Sequence, residues 1–332
     1  MKVYIKDYKQ IKFGEFTGES FSDMLGKLFT GVERKEYDAV IAVSTFGGKL
    51  YNISNLALFI KEKYLRDCPN TYFFQNSIDA LDVAYKLISK GIYKNILVVG
   101  ADKFSQLTNS ELEEILSSQL PEVEAEIGQT YLGRLALIQN YYLQKGLVKK
   151  EELYRISSEN SKNGINNKFA QFQKEFSKEI IAKSQIVADP LRLLETSSFC
   201  DGACLLELTN EENDIEIDNF IQAKGKKDVD LEFSIFEQIG EIRKEFKDYD
   251  LYELSDITSF MQYIIQKKLG IKSNRINLSG GFKSCGNPIA ASSLRQIIDL
   301  ARFMKEDKIK KGLSVYLNGT CDSLAITSLK YD

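Results

Sequence analysis

Two short apolar runs, each with polar residues only at its ends, constrain the fold of this chain of 332 residues more than any other feature. Residues 38–44 and 95–100 lack the alternation of polar and apolar side chains that a half-exposed strand shows. Such runs predict strands that are buried on both faces, in a sheet covered by helices. Helical periodicity over 52–63 and 78–89, with a short apolar segment at 72–74 between them, predicts an α/β fold with a parallel sheet.

The same alternation returns in the second part of the chain, after an acidic turn at 210–214. We therefore predict an N-terminal half over 1–210 and a C-terminal half over 211–332. Residues from about 106 to 190 are polar and rich in helical periodicity, and we expect them to form a loop region that leaves the sheet. The C-terminal half is predicted to hold strands at 215–224, 249–254, 313–317 and 325–329, and helices at 234–247, 259–269 and 290–305.

The chain contains no histidine, which excludes several kinds of chemistry. Histidine is the only side chain whose unperturbed pKa lies near neutrality. Its absence rules out Ser-His and Cys-His activation of a nucleophile within the subunit. Histidine metal sites are excluded in the same way, and the sequence predicts no metal centre.

The five cysteines are expected to be reduced thiols rather than a disulfide framework. Their number is odd and the chain is large, and Cys200 and Cys204 are best interpreted as two core thiols on a buried strand. The net charge is −3 with acids and bases interleaved, which speaks against nucleic-acid binding. Since no apolar run approaches the ~20 residues of a membrane span and no signal-like segment opens the chain, we expect a cytoplasmic protein.

Four groups of residues, in this order, resemble the thiolase superfamily, most closely its sterol-carrier-type and archaeal-type branch. The fourth group, 277–281 with 286–292, is the most specific, because it combines a Gly-Gly turn, a Gly-x-Pro turn and the start of a helix. The resemblance implies a thiolase fold, with two similar α/β halves in five layers, α-β-α-β-α. The groups are 76–84 with 96–102; 167–172 with 189–194 and 200–203; 253–256; and 277–281 with 286–292.

The resemblance also implies where the catalytic groups of a thiolase would lie. The position of the nucleophilic cysteine holds Phe74, whose ring we expect to block the acyl pocket. The two positions of the family's histidines hold Ser255 and Asn287, neither of which shuttles protons near pH 7. Cys321 lies a few residues past the position of the family's late catalytic cysteine, so it is not assigned that role.

Three functions remain open at this point. The leading hypothesis is a non-catalytic subunit of an acyl-CoA or polyketide/fatty-acid acyltransferase complex. The second is an enzyme of the same fold with cysteine-independent chemistry, such as an aldolase or acyltransferase acting on acyl-CoA. The third is an acyl-CoA binding module without a bound cofactor of its own. Acid/base groups for the second are Tyr72, Glu253, Asp256, Asn287 and Tyr316, and weak candidates for CoA contacts are Gly280, Gly281 and Lys283.

The resemblance further suggests partners. We expect a homodimer, or a heterodimer with an active thiolase or ketosynthase paralogue, because proteins of this fold dimerise through their sheet cores. A small protein with an OB-fold and a zinc ribbon is a further candidate. Neither nucleic acid nor a membrane is expected as a partner.

Overall fold

The computed structural model describes residues 1–32, 36–225, 234–246 and 248–332. Within these ranges the strands form one mixed sheet and a separate two-stranded ribbon. The large sheet contains β1 (Val3–Gln10), β2 (Ala39–Val43), β3 (Asn70–Phe74), β4 (Asn95–Asp102), β7 (Gly202–Thr209), β8 (Ile215–Lys224), β9 (Leu251–Leu254), β10 (Lys311–Leu317) and β11 (Ser323–Tyr331), and the ribbon pairs β5 (Ile186–Ala188) with β6 (Leu191–Arg192).

The helices flank the sheet, and none of those described is long and apolar enough to cross a membrane. They are α1 (Phe21–Phe29), α2 (Gly47–Leu50), α3 (Leu56–Tyr64), α4 (Ser77–Ser89), α5 (Asn109–Ser117), α6 (Glu122–Glu126), α7 (Tyr131–Gln144), α8 (Lys150–Asn163), α9 (Lys178–Ala182), α10 (Ser234–Ile242), α11 (Ser259–Leu269), α12 (Gly281–Cys285) and α13 (Ser292–Asp307). Single 3₁₀ turns lie at Gly164–Asn166, Leu193–Glu195 and Ile289–Ala291.

The strand order of the large sheet is β3-β2-β4-β7-β1-β8-β11-β10-β9. β2 is parallel to β3 and β4, whereas β7 is antiparallel to β4 and to β1. The parallel arrangement predicted for the segments that form β2, β3 and β4 is confirmed, whereas the antiparallel β7 makes the whole sheet mixed. A strand buried on both faces carries the same apolar signal in either orientation, so periodicity could not reveal the reversal.

The second half of the sheet repeats the first. In the first half β1 is innermost, β7 lies beside it and β2 lies further out. In the second half β8, β11 and β9 take the same positions. The two halves join edge to edge where β1 pairs antiparallel with β8. Where the first half has β3, the described residues of the second half have a single parallel bridge between Tyr252 and Ile276.

The helices complete the predicted α-β-α-β-α layering. α4 packs on β4 of the first half and on β8 of the second, and α13 likewise contacts strands of both halves, so these two helices form the central layer. α3 covers β2 and β3 on the outside of the first half, and α10 packs on β8 on the outside of the second. The α/β class and the thiolase arrangement of layers are confirmed.

Helix starts and ends follow local signals. α4 begins where the Asn76 side chain accepts a hydrogen bond from the Ile78 amide (2.8 Å), and it buries one face of apolar residues. The predicted bounds of β8 and α11 agree with the structure. The helix predicted over 234–247 is shorter and ends at Ile242; Lys247 lies outside the described residues.

Candidate functional site

A cavity of about 650 Å³ opens where β2, β3 and β10 end and α4 begins. The carboxyl ends of strands in α/β sheets are where ligands commonly bind. Most of the side chains around it carry hydroxyl or amide groups. The lining residues are Thr45, Phe46, Gln75, Asn76, Ser77, Ser118, Gln119, Lys224, Gly225, Ile289, Tyr316, Asn318, Thr320, Asp322 and Ser323.

The start of α4 presents amides and a hydroxyl to this cavity. Gln75, Asn76 and Ser77 line it, whereas Phe74 does not; its half-buried ring packs against the core. The carbonyl of Phe74 accepts a hydrogen bond from the Ser44 amide (3.2 Å), which holds the end of β3 against β2. Phe74 therefore does not line this cavity, and its expected role in blocking an acyl pocket stays a prediction.

Tyr316 is the candidate residue that the structure brings to the cavity. Its side chain is 5% exposed and its hydroxyl is hydrogen-bonded to Ser77 at the first position of α4. The ring also makes an edge contact with Phe282, with 6.2 Å between ring centroids. Burial raises the pKa of the Tyr316 hydroxyl above its usual value, so the group stays protonated at neutral pH. It can donate or accept a hydrogen bond without carrying charge.

Asp102, which the sequence reasoning did not single out, does not line the cavity but holds the backbone of the lining residue Thr45. It lies at the end of β4, is wholly buried, and accepts hydrogen bonds from the Ser44 hydroxyl (2.7 Å) and from the amides of Thr45 (3.1 Å) and Ala290 (3.0 Å). Burial raises its pKa to about 7, against the opposing effect of these donors. A carboxylate directly after an apolar strand was the signal that could have revealed it.

Ser255 and Asn287, which match the family's histidine positions, are held in structural hydrogen bonds. The Ser255 hydroxyl accepts from the Leu317 amide (2.9 Å) and ties the end of β9 to β10. The Asn287 side-chain oxygen accepts from the Ser292 hydroxyl (2.7 Å) and from the Ile289 amide (3.2 Å). Both residues are buried, and neither is among the residues that line the cavity.

Glu253 lies in a buried ionic cluster behind the cavity. Its carboxylate accepts a hydrogen bond from the Ser279 hydroxyl (2.8 Å) and lies 3.7 Å from Nη1 of Arg295. Arg295 Nη1 is closer to Asp299, at 2.8 Å. Burial, with Asp299 as a further contributor, raises the pKa of Glu253 to about 8 although Arg295 opposes the shift. Since Glu253 is not a lining residue, the cluster supports the fold rather than the cavity wall.

Asp256 holds the turn that begins at Gly280. Its carboxylate accepts from the amides of Phe282 (2.6 Å) and Lys283 (3.1 Å) and from the Asn160 side chain (2.7 Å). Burial raises its pKa. Gly281 has a φ of +61°, and a Cβ there would come within 2.4 Å of the Asp256 carboxylate, so glycine is required at this position.

The candidates for CoA contacts are held inside the molecule. Lys283 is 9% exposed, and its ammonium donates to the Thr196 carbonyl at 3.3 Å. Burial lowers its pKa to about 8. A Cβ on Gly280 would lie 2.6 Å from the Gly164 backbone, so close packing accounts for this residue. Tyr72, on the outer edge of the sheet, bonds through its hydroxyl to Tyr93 (2.8 Å).

The five cysteines are buried, free and absent from the cavity lining. Burial raises the pKa of each thiol, to about 12 for Cys285 and Cys321. Cys204 lies on β7, and Cys200 precedes that strand, which confirms the interpretation of these two as core thiols. In the described ranges no group of three or more cysteine, aspartate or glutamate side chains has a geometry that could hold a metal ion.

Two family models match parts of this chain, and known proteins match nearly all of it. Residues 233–329 match the model "Thiolase, C-terminal domain", and residues 76–117 match "3-Oxoacyl-[acyl-carrier-protein (ACP)] synthase III". An acetyl-CoA acetyltransferase of Methanocaldococcus jannaschii is 24% identical, with 98% of this chain and 97% of the relative covered. One of Methanothermobacter thermautotrophicus is also 24% identical, with 98% of each covered.

Solved structures share the same architecture. The Ltp2-ChsH2(DUF35) aldolase superposes with a TM-score of 0.80 at 14% identity and covers 100% of this chain and 98% of its own. An acetyl-CoA acetyltransferase from Syntrophomonas wolfei superposes with a TM-score of 0.77 at 14% identity, covering 100% and 99%. At this level of identity the likeness concerns the fold.

Proposed function

Because the chain belongs to the thiolase superfamily, we propose that it is a non-catalytic subunit of a complex that processes acyl thioesters. In this role it shapes or stabilises an active partner and does not itself carry the acyl group. The complex would act on acyl-CoA or on the intermediates of polyketide or fatty-acid synthesis.

The observation that carries the proposal is the position of the thiols. A thiolase forms its acyl-enzyme on a cysteine, which must be a thiolate within reach of the substrate. All five thiols of this chain are buried and have raised pKa values, and none of them lines the cavity at the start of α4, although Cys321 stands between the lining residues Thr320 and Asp322. The position matching the nucleophile holds a phenyl ring.

The lack of the family's acid/base groups supports the same proposal. The chain has no imidazole, and the residues at the family's histidine positions, Ser255 and Asn287, use their side chains to hold strand ends and turns. Neither group titrates near pH 7. Proton transfer in a Claisen step would therefore lack its usual carriers.

The outer edge of the sheet supports the proposed pairing with a second subunit. β3 is an edge strand whose five residues are all half-buried. An uncovered edge strand offers unpaired backbone groups to another chain. We propose that β3 pairs with the equivalent strand of a second copy or of an active paralogue. A partner with an OB-fold and a zinc ribbon remains the other candidate, and the name of the Ltp2-ChsH2(DUF35) aldolase is in keeping with it.

The chemical part of the proposal is tested with the purified chain and acetyl-CoA. We expect no acetoacetyl-CoA and no mass increase of the intact protein, because no thiol is placed to accept the acyl group. An acetyl adduct that maps to a cysteine peptide, or turnover that survives removal of contaminating thiolases, would overturn the proposal.

The pairing is tested with Thr71→Lys, which places a charge on β3. Sedimentation velocity is measured on the chain alone and on the chain co-purified with a thiolase-like paralogue of the same genome. We expect a homodimer in the first sample or a heterodimer in the second. We expect Thr71→Lys to shift either species to the monomer, while Leu147→Lys, at an exposed leucine after α7, leaves it unchanged. A dimer that is insensitive to Thr71→Lys argues against β3 as the interface.

One observation favours cysteine-independent chemistry as a second candidate. Tyr316 is protonated, lines the cavity and is hydrogen-bonded to Ser77 at the start of α4. If this candidate holds, the chain cleaves a β-hydroxyacyl-CoA and Tyr316→Phe lowers the rate at least about a hundredfold. If purified wild-type protein cleaves no such substrate, it is ruled out.

Simple binding of acyl-CoA is the third candidate, with Gly280, Gly281 and Lys283 as the predicted contacts. Titration calorimetry with acetyl-CoA separates it from the other two. If Lys283→Met leaves the affinity for acetyl-CoA unchanged, Lys283 is not a contact of the ligand. The cavity at the start of α4 is then the alternative binding site.

A further inference from the structure

A second cavity, of about 520 Å³, lies between α8, α11 and residues 271–276. It shares no lining residue with the cavity at the start of α4. Its wall is dominated by side-chain amides and basic groups. The lining residues are Arg155, Glu159, Asn160, Lys162, Asn163, Gln262, Gln266, Ile271, Lys272, Ser273, Asn274 and Ile276.

One side-chain amide of this cavity has a free hydrogen-bond donor. Gln262 is 2% exposed, and its Oε1 accepts hydrogen bonds from the amide nitrogens of Asn160 (2.7 Å) and Asn277 (3.0 Å). These two bonds fix which way the Gln262 amide faces. Its Nε2 has no acceptor among the described residues, and Gln262 lines the cavity. The NH₂ group is therefore available to an acceptor that enters the cavity.

The rim of the cavity carries uncompensated positive charge. Lys162 and Lys272 are exposed, and neither forms an ion pair with a described residue. The one carboxylate in the wall, Glu159, is engaged by Arg155 at 2.7 and 2.8 Å. With that pair neutral, the two lysines give the wall a net charge of about +2.

We propose that this cavity binds a small polyanion, with its oxygen atoms accepting hydrogen bonds from Gln262 Nε2 and neutralised by Lys162 and Lys272. Ammonium groups on flexible stems suit phosphate or carboxylate oxygens, and the Gln262 amide supplies the directional contact. Gln266 lines the same wall and offers a second amide.

The bound anion would be coupled to the turn at Gly281 through a single side chain. Asn160 donates to Gln262 Oε1 and also to the Asp256 carboxylate, both at 2.7 Å. Asp256 in turn holds the amides of Phe282 and Lys283. By mass action, a ligand that binds only the folded chain also raises its melting temperature. The melting temperature is thus a second measurement beside affinity.

Isothermal titration calorimetry with inorganic pyrophosphate and, separately, with citrate tests the proposal at low ionic strength. We expect at least one of the two to bind at a single site and to raise the melting temperature. The double variant Lys162→Gln/Lys272→Gln should bind about tenfold or more weakly, because two charges are lost. Binding of pyrophosphate alone identifies phosphate as the ligand chemistry, and binding of citrate alone identifies carboxylate.

The matched control is Lys12→Gln/Lys90→Gln, which removes two exposed lysines elsewhere on the surface. We expect this control to bind as the wild type does. The proposal is overturned if neither anion binds, if the Lys162/Lys272 variant binds as tightly as the wild type, or if the control weakens binding equally. Both double variants change exposed side chains only, so loss of folding does not confuse the result.

Discussion

The hydroxyl of Tyr316, near the end of β10, is hydrogen-bonded to the hydroxyl of Ser77 at the first position of α4. The bond joins the two halves of the molecule at the wall of the larger cavity. Tyr316→Phe should lower the free energy of unfolding by about 1 kcal/mol, since it removes a hydrogen bond between buried groups. Tyr4→Phe is the control, because the Tyr4 hydroxyl makes no hydrogen bond to a described residue. Equal losses in the two variants, measured by chemical denaturation, would contradict the assignment.

The buried carboxyl of Asp102 should make stability depend on pH. Its folded-state pKa of about 7 lies above the value of about 4 for an unfolded aspartate, so the folded chain binds the proton more tightly. The contribution of Asp102 to stability is therefore greatest below about pH 4 and is lost as the pH rises to about 7. We expect Asp102→Asn to show a shallower fall in unfolding free energy between pH 4 and pH 7 than the wild type. Identical slopes would show that Asp102 stays ionised when folded.

The five buried thiols should be almost inert in the native protein. At pH 8 we expect Ellman's reagent to modify them about a hundredfold more slowly than a free thiol, because burial hinders access and raises each pKa. All five should react once denaturant is added. Gln75→Cys places a thiol at the exposed start of α4 and should add one fast-reacting group. A fast thiol in the wild type would reopen the question of a nucleophile.

The glycine at the Asp256 turn should be far less replaceable than a glycine of similar conformation elsewhere. Gly281 and Gly146 have φ values of +61° and +67°, but only at Gly281 would a Cβ meet a neighbour, the Asp256 carboxylate. Gly146→Ala should cost about 1 kcal/mol for the left-handed backbone alone. Gly281→Ala should cost about 3 kcal/mol or more, because the Asp256 carboxylate is held by three donors and cannot move aside freely. Similar melting temperatures for the two variants would count against this reading of the turn.

Elements with strong periodicity were predicted well from the sequence. The bounds of β8 and α11 agree with the prediction, and α4 begins one residue earlier than its first predicted apolar position. These elements are governed by local side-chain spacing and by caps such as Asn76. α1 was not predicted, although its Ser20–Asp23 capping box was readable in the chain.

The site was predicted less completely. Tyr316 was one of five acid/base candidates named from the sequence, and it alone of the five lines the cavity at the start of α4, whereas Phe74 does not line it. The sequence reasoning missed Asp102, whose bond to the Ala290 amide spans 188 positions of the chain. Bonds of this kind depend on how strands from distant segments come to lie side by side, and no local pattern encodes that.

By itself the sequence determined the α/β class, the repeated strand and helix pattern, and the absence of any imidazole, because these depend on residue identity and short-range spacing. Only the tertiary structure decided that β7 runs antiparallel and that β1 joins β8. It also decided that the side chain of Ser255 is hydrogen-bonded at a strand end and that of Asn287 in a turn. The structure likewise decided that Gln262 Nε2, in the wall of a basic cavity, has no hydrogen-bond partner among the described residues. The physical reason is that strand register and burial are set by long-range packing, which determines which polar atoms find partners and which do not.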